Sequence, residues 1–538
     1  MAKQFDAVIV GGGHNGLACG AYLARAGLSV CVLERRELLG GAAVSEAIWP
    51  GYLVSTASYT MALLQPKVIL DLELAKYGYQ VLKPPPMFVP LEGGAPLIFH
   101  DDAAHVAAQI GAYSAADGRA YPCYREHMNR LAVVVRRILW ETPPDPTKRG
   151  VSARAALASL AWRFRDSSGE FFDLYDIMTL SAYDFLGRWF SNDPIKAAIG
   201  FYAAAGGGNA SMKSAGSAYV LLRGFIRDNA TAAGGTGFIR GGMGQISESI
   251  AASGRAHGMH TRVNAPVSSI VVESGRAVGV ELEGGERIDA HVVIANASAK
   301  TLFRRLIDPR HLPPGLLEDV DRIRDRSTAY KVHLGLTRLP TFREFDPAVA
   351  GFAYPAQVRI GPSVDYIERA FDGSKYGAFA QEPCLTAVTP SVLDPSVAPP
   401  GRHLMSIFGV HAPYELRGRT WDDARDELYE VTLRTLEKHA PDIRDCIAEK
   451  HILTPIDIER IFDLHGGHVH HGELSADQIF FRRPVPHFAD YTTPIANLYQ
   501  CGASTHPGGG VTGVPGHNAA GVVLRRLRRT LKPKGSAS

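Results

Sequence analysis

Residues 5–34, FDAVIVGGGHNGLACGAYLARAGLSVCVLE, constrain the fold more than any other stretch of the chain. FDAVIV is a short apolar run of the kind that forms a buried parallel strand. Glycines follow, then GLACGAYLARAG, where Leu17, Ala21 and Ala24 recur at helical spacing up to a stop at Gly27. LSVCVLE (28–34) reads as a second strand. Strand, helix and strand within about 30 residues make a βαβ crossover, and so an α/β, Rossmann-like fold. Gly11, Gly13 and Gly16 spell GxGxxG inside it. Gly11 permits the tight turn, Gly13 lets the backbone approach a pyrophosphate, and Gly16 lets helix pack on strand. The helix N-terminus offers free N–H groups and a favourable dipole to the phosphates. Glu34, 18 residues beyond Gly16, is placed to accept from a ribose hydroxyl pair. The unit predicts a site for an ADP-containing cofactor.

The rest of the composition excludes several classes. Net charge is +3, too small to argue for nucleic acid. The six cysteines, Cys19, Cys31, Cys123, Cys384, Cys446 and Cys501, form no CxxC pair, so neither a disulfide framework nor a redox dithiol nor a zinc ribbon is expected. MAKQF is too short for a signal or transit peptide, and no apolar run reaches about 18 residues. The expectation is a soluble cytoplasmic protein, with peripheral membrane contact left open.

Residues from about 60 to 240 read as mainly helical. ETPPDPTKRG (141–150) is a loop, and SNDPIKAAIGFYAAA (191–205) opens a helix with Asp193 as N-cap and Pro194 at its first position. PVSSIVVESGRAVGVELEGGERIDAHVVIANAS (266–298) reads as three strands, Val267–Glu273, Ala277–Glu283 and Asp289–Ala295, separated by glycine turns. TWDDARDELYEVTLRTLEKHAP is a helix capped by Thr420 with Asp423 three residues on. The last 45 residues return to strand, glycine loop and helix. Both FAD and NAD contain ADP, but Gly40–Gly41, six residues past the acid, suits a loop beside a long buried cofactor. No second strand–GxGxxG–helix order is present, which favours FAD.

DAVIVGGGHNGLACGAYLARAG, LERRELLGGAA, GGMGQISESIA, VVIANAS and CGASTHPGGGVTGVPGHNAA together resemble the phytoene desaturase-type flavoproteins, which include carotenoid desaturases and carotenoid isomerases. The resemblance is nearer to the branch named for the pyridine nucleotide-disulfide oxidoreductase domain-containing protein 2, through ASYTMALLQPKVILDLEL, LDPSVAPPG, ILTPIDIERIF and ELSADQIFFRRPVP. A disulfide oxidoreductase needs a cysteine pair beside its flavin, and none is spaced for it here. The resemblance implies a discontinuous FAD domain (1–75, 235–300, 490–538), a substrate domain (76–100, 301–489) and a mainly helical, substrate- or membrane-facing subdomain (101–234). It also implies that the two glycine-rich ends are halves of one FAD site. Cofactor contacts are then expected from Gly11, Gly13, His14, Asn15, Gly16, Glu34, Arg35, Arg36, Gly40, Gly41, Ala42 and Ala43. Gly242, Met243, Gly244, Val267, Ala295 and Asn296 join them from the middle of the chain, and Gly502, Ala503, Gly513 and Val514 from its end. The helix opening near Val514 would aim its N–H groups at the reduced flavin.

Catalytic residues are harder to read. GGHVHHGELSADQ (466–478) holds His468, His470 and His471; two histidines at i and i+2 of a strand share a face, but no carboxylate or cysteine joins them at ligand spacing, so no metal site is expected. His471 and His506 are the candidates for acid–base work near the flavin, each with a plain structural reading beside it. Removing hydride from a hydrocarbon needs the donor carbon about 3–3.5 Å from flavin N5 but no strong base. The basic end, LRRLRRTLKPKGSAS, reads as a membrane-surface segment or as a solvated helix end. The expected function is oxidation or reduction of CH–CH bonds in a lipophilic, unsaturated small molecule, with oxygen, a quinone or a protein as acceptor. Amine oxidation, redox-neutral polyene isomerisation and a low-turnover regulatory role are the alternatives.

Overall fold

In the structure, a computed structural model describing residues 4–91, 94–206, 210–226 and 237–531, the βαβ unit forms as the sequence predicts. Strands Gln4–Val10 and Val30–Leu33 run parallel, joined by helix His14–Arg25. Gly11 leaves the first strand with φ 101° and Gly27 ends the helix with φ 88°, both left-handed conformations that favour glycine. His260–Arg262 adds to one edge. On the other lies Arg287–Ala295, parallel to the first strand and followed antiparallel by Arg276–Leu282 and Val267–Glu273. The short strand Leu498–Gln500 returns beside Val293–Ala295. The end of the chain thus enters the sheet that its beginning started.

A second sheet holds Ile447–Leu453, Ala329–Leu336, His403–Val410, Cys384–Val388, Gln357–Ile360, Met87–Val89 and Leu97–Phe99, in that order. One face is apolar: Val332, Ile407, Leu385 and Val358 pack with Leu428 and Val431 of helix Trp421–Glu437. That helix has the expected capping box of Thr420 and Asp423. The third region is helical, from Ala103 to Gly224, with its own aromatic core around Tyr124, Phe185, Phe190 and Phe201.

Three readings need correction. The helix at 193–205 is capped by Asn192, whose side chain accepts from Ile195 N; Asp193 is already its first residue, and its carboxylate accepts from Val364 N. Asn192 has the extended backbone of a cap (φ −76°, ψ 125°). Residues 468–471 form turns rather than a strand, so His468 and His470 share no strand face. The sequence-read strand Asp289–Ala295 begins earlier, at Arg287. Residues 234–236 of the middle glycine cluster and 532–538 of the basic end lie outside the described residues. No described helix is long and apolar enough to cross a membrane.

Candidate active site

The nucleotide end is built from backbone. Gly13 caps helix His14–Arg25 with no side-chain acceptor, leaving its first N–H groups open. Glu34, buried, accepts from Gly12 N at 2.8 Å and from Arg36 N at 2.9 Å. Asn296, at the end of its strand, donates to Gly11 O (3.1 Å) and Gly13 O (3.4 Å) and so fixes the turn. A Cβ on Gly16 would stand 2.3 Å from Gly11 O, and one on Gly13 2.9 Å from Asn296 Nδ2. Gly40 N donates to Gly12 O, which brings Gly41 against Gly13. Arg36 pairs with Glu46 and lies over Phe462, yet its buried Nη1 has no partner in the protein; neither has Asn15 Oδ1. Open helix N–H groups, a buried acid and these idle polar atoms fit the ADP half of FAD.

The two glycine-rich ends meet here. The His14 ring lies 3.3 Å from Gly510 O, and Gly516, on helix Val514–Leu531, rests on the backbone of Asn15 and Cys19. The loop 507–513 is threaded tightly: a Cβ on Gly509 would meet His470 Cα at 2.3 Å, and one on Gly510 would meet Arg223 Nη2 at 2.6 Å. Arg223 donates to Gly509 O at 3.2 Å. Arg483 bonds Ala503 O, Glu473 O and His470 O, tying the histidine segment to the glycine loop. Burial lowers both guanidinium groups to about 10, which leaves them charged at neutral pH.

One continuous cavity of about 2280 Å³ runs from this nucleotide end between the second sheet and the helical region. Ligand pockets are commonly about 300–1,000 Å³, so the space exceeds what one small ligand needs. Of the expected residues, Gly11, Gly13, His14, Asn15, Glu34, Arg35 and Arg36 line it, as do Gly41, Ala42, Val267, Asn296, His471 and Ala503. Gly16, Gly40, Ala43, Ala295 and Gly502 stand behind that lining and shape it. Gly513 packs on Val68, and Val514 N bonds Thr512 Oγ1. Gly242, Met243 and Gly244 are off the cavity: Met243 N and Gly244 N bond Ser55 Oγ and Ser45 Oγ, so they brace the segment 45–55.

The two histidines separate. His471 lines the cavity, its ring 3.4 Å from Ser504 Oγ, and burial with Arg483 nearby pushes it down to about 4. His506 faces away: its ring bonds Ile138 O at 2.9 Å and abuts Phe480, and burial lowers it to about 4. It holds the loop to the helical region. His470 bonds Gly206 O and His468 accepts from His470 N; both are neutral through burial. The described residues include no cluster suited to a metal ion.

Sequence reasoning missed the polar groups of the cavity's far wall. Behind that wall, Lys331 is 1% exposed and has no hydrogen-bond partner; its Nζ lies 3.8 Å from the centroid of the Tyr59 ring, which lines the cavity, and burial drives it well below the usual lysine range. Tyr59 stacks on Phe408 at 5.8 Å. Arg359, 8% exposed, stacks on Phe201 and Tyr202. A signal existed: AYKVHL and QVRI both alternate polar with apolar residues.

Fold and site together define a flavoprotein oxidoreductase. The chain belongs to the flavin containing amine oxidoreductase family, whose model matches residues 108–522. Residues 9–70 match the NAD(P)-binding Rossmann-like domain. The pyridine nucleotide-disulfide oxidoreductase domain-containing protein 2 of Rattus norvegicus is 36% identical over 98% of this chain and 94% of its own. A phytoene desaturase (lycopene-forming) of Pseudescherichia vulneris is 26% identical over 94% and 96%. A putrescine oxidase triple mutant shares the fold, with TM-score 0.61 and 16% identity over 98% and 99%. The family resemblance and the α/β class read from the sequence hold, and the cofactor is FAD. Among the described residues no disulfide is formed; every cysteine but Cys123 is buried, and the thiols of Cys19 and Cys501 lie within hydrogen-bonding reach of each other.

Proposed function

We propose that this flavoprotein oxidises or reduces CH–CH bonds of a lipophilic, unsaturated substrate. The observation that carries the reading is the cavity itself, continuous with the nucleotide end and walled by Met87, Phe99, Tyr124, Ile199, Phe225 and Phe408. Bound FAD supplies a hydride acceptor or donor. The chain's part is to hold a hydrocarbon against it and exclude water, and such a wall does both. His471, neutral at physiological pH, can accept or donate a proton at its ring nitrogens. The phytoene desaturase relative supports this substrate class.

Amine oxidation is the second reading, favoured by the family's description and by the Tyr59–Phe408 stack. An ammonium in the cavity would face the guanidinium groups of Arg223 and Arg359, and like charges in a low-dielectric site repel strongly. The test is anaerobic: the flavin spectrum of the FAD-loaded protein is recorded with a nonpolar extract of its host and with an amine panel. Bleaching by the extract supports CH–CH chemistry. Bleaching by amines alone overturns it.

Peripheral membrane attachment belongs to the same proposal. Trp162, Phe171, Phe172 and Tyr175 are 60–77% exposed on the helical region, beside Arg163 and Arg165. Aromatic side chains flanked by cations suit an interfacial surface. Co-sedimentation with anionic vesicles, lost in Trp162→Ser/Phe172→Ser, checks it.

A further inference from the structure

The second sheet presents one face to its covering helix and the other to the cavity. On the cavity side, register pairs Arg359 with Thr386, Thr386 with Phe408 and Phe408 with Lys331, one row across four adjacent strands. Three strand spacings make this row about 14 Å long. Arg359 stands at one end, with Tyr59, Tyr202 and the hydroxyl of Thr386 beside it.

Arg359 is buried but poorly satisfied. Its Nη1 donates to Ala198 O at 3.2 Å, and its Nε–H has no acceptor. Stacking on Phe201 (5.0 Å) and Tyr202 (4.3 Å) occupies the faces of the guanidinium and leaves its edge open. Among the described residues no carboxylate forms an ion pair with it. The acids lining the cavity are engaged elsewhere. Glu34 and Glu283 belong to the nucleotide end, Asp463 pairs with Arg305, Asp101 pairs with Lys83, Asp102 accepts from Ala104 N, and Glu126 pairs with Arg130. Nor does the nucleotide require it, because Arg359 lies on the second sheet and the phosphate donors lie on the first. A buried charge without a partner costs several kcal/mol, and a guanidinium cannot escape by losing its proton.

We infer that the substrate is an amphiphile whose carboxylate is bound by Arg359 while its hydrocarbon part lies along the apolar wall. This rests on the reading above that the substrate is lipophilic, and it adds the head group. A carboxylate would take the open Nε–H and the free Nη2 edge, with one hydroxyl of the Tyr59–Thr386 pair as a further donor. A pure hydrocarbon leaves that edge unsatisfied, and an ammonium is repelled by it.

The test uses the full-length, FAD-loaded protein and four ligands with one C18 chain: oleate, methyl oleate, oleylamine and 1-octadecene, each below its aggregation threshold. Binding is read by calorimetry and by perturbation of the flavin spectrum. A charge-assisted hydrogen bond contributes about 1.5–3 kcal/mol, so oleate is expected to bind about 10- to 150-fold more tightly than its ester. Arg359→Gln should abolish that preference and Arg359→Lys should keep part of it, both with unchanged FAD content. Equal affinity for acid and ester, no binding of oleate, or a preference that survives Arg359→Gln overturns the inference. The comparison in the unaltered protein decides the matter even where a variant fails to fold. Anaerobic bleaching separates the two readings. Acid-selective binding without bleaching by any ligand refutes C18 dehydrogenation and leaves the anion site standing. Bleaching by 1-octadecene without acid selectivity does the reverse.

Discussion

Gly516→Ala sets two effects of opposite sign against each other. Gly516 lies in the first turn of helix Val514–Leu531. Alanine is the better helix former by about 1 kcal/mol, so propensity alone predicts a more stable protein. Packing predicts the opposite. The added Cβ would stand 2.2 Å from Asn15 O, 2.9 Å from Cys19 N and 3.0 Å from Ala18 Cβ. These are backbone atoms and a Cβ, so no rotamer change relieves the overlap. Bringing 2.2 Å to the 3.4 Å of ordinary contact needs about 1 Å of separation between the first and last helices. Overpacking of this kind costs about 1–3 kcal/mol, and the absence of a flexible neighbour puts it at the upper end. The net expectation is a loss of about 1–2 kcal/mol, or about 5- to 30-fold in FAD affinity where the strain is released on cofactor loss.

The assay is fluorescence titration of apoprotein with FAD, beside thermal melting of both forms. Gly521→Ala is the control: it lies on the same helix, and its nearest neighbour is the flexible end of Arg525 at 3.3 Å. It should melt at or above the unaltered protein. Gly516→Ala binding FAD and melting like the unaltered protein would refute close packing of the first and last helices at the cofactor site.

Glu34→Ala removes the acceptor of Gly12 N and Arg36 N along with the expected ribose contact, and FAD affinity should fall about 10- to 100-fold by titration. His14, His471 and His506 are each lowered from 6.5 to about 4, chiefly by burial. The unfolded chain therefore takes up these protons at higher pH than the folded one. Stability is full above pH 6.5 and is lost as pH falls toward 4, with about 3 kcal/mol at stake per group. The melting temperature should be flat above pH 7 and fall steeply between pH 6.5 and 4, less steeply in His506→Gln; a flat profile down to pH 4.5 contradicts these environments. His506→Gln should also lower the melting temperature while leaving the pH profile of turnover in place, because its ring bonds Ile138 O and lies off the cavity. A displaced profile would put His506 back among the reacting groups.

The nucleotide end was legible because its function lies in the backbone. Glycine spacing, one acid and strand–helix–strand periodicity are local, and local patterns survive in a one-dimensional reading. The carboxyl-terminal loop was legible for the same reason. The far wall was not. Gln357 and Arg359, which line it, alternate with Val358 and Ile360. Such alternation is what a strand with one solvated face displays. Whether the polar face meets bulk water or an enclosed cavity depends on the helical region, whose Phe201 and Tyr202 arrive from more than 120 residues away. The middle glycines have a packing role that the sequence does not display: a Cβ on Gly242 would lie 2.4 and 2.8 Å from the Oγ atoms of Ser45 and Ser55.

The same long-range logic couples cofactor retention to regions that do not touch the nucleotide end. Strand Leu498–Gln500 follows the second sheet and the helical region in the chain, and the loop after it is held by segments of both. Arg223, from the helical region, donates to Gly509 O, and Asn518 donates to Leu139 O at the end of helix Ala115–Leu139. Arg483 ties His470 O to Ala503 O from the side of the second sheet's connections. The Arg223 and Asn518 bonds bridge segments 286 and 379 residues apart, and each is lost if either segment it joins unfolds. FAD contacting both glycine-rich ends would stabilise all three regions together, by an amount that grows with the logarithm of free cofactor. Removing Arg223 or Arg483 should therefore loosen FAD although neither residue belongs to the βαβ unit. Cofactor affinity in this fold reports on closure of the whole chain.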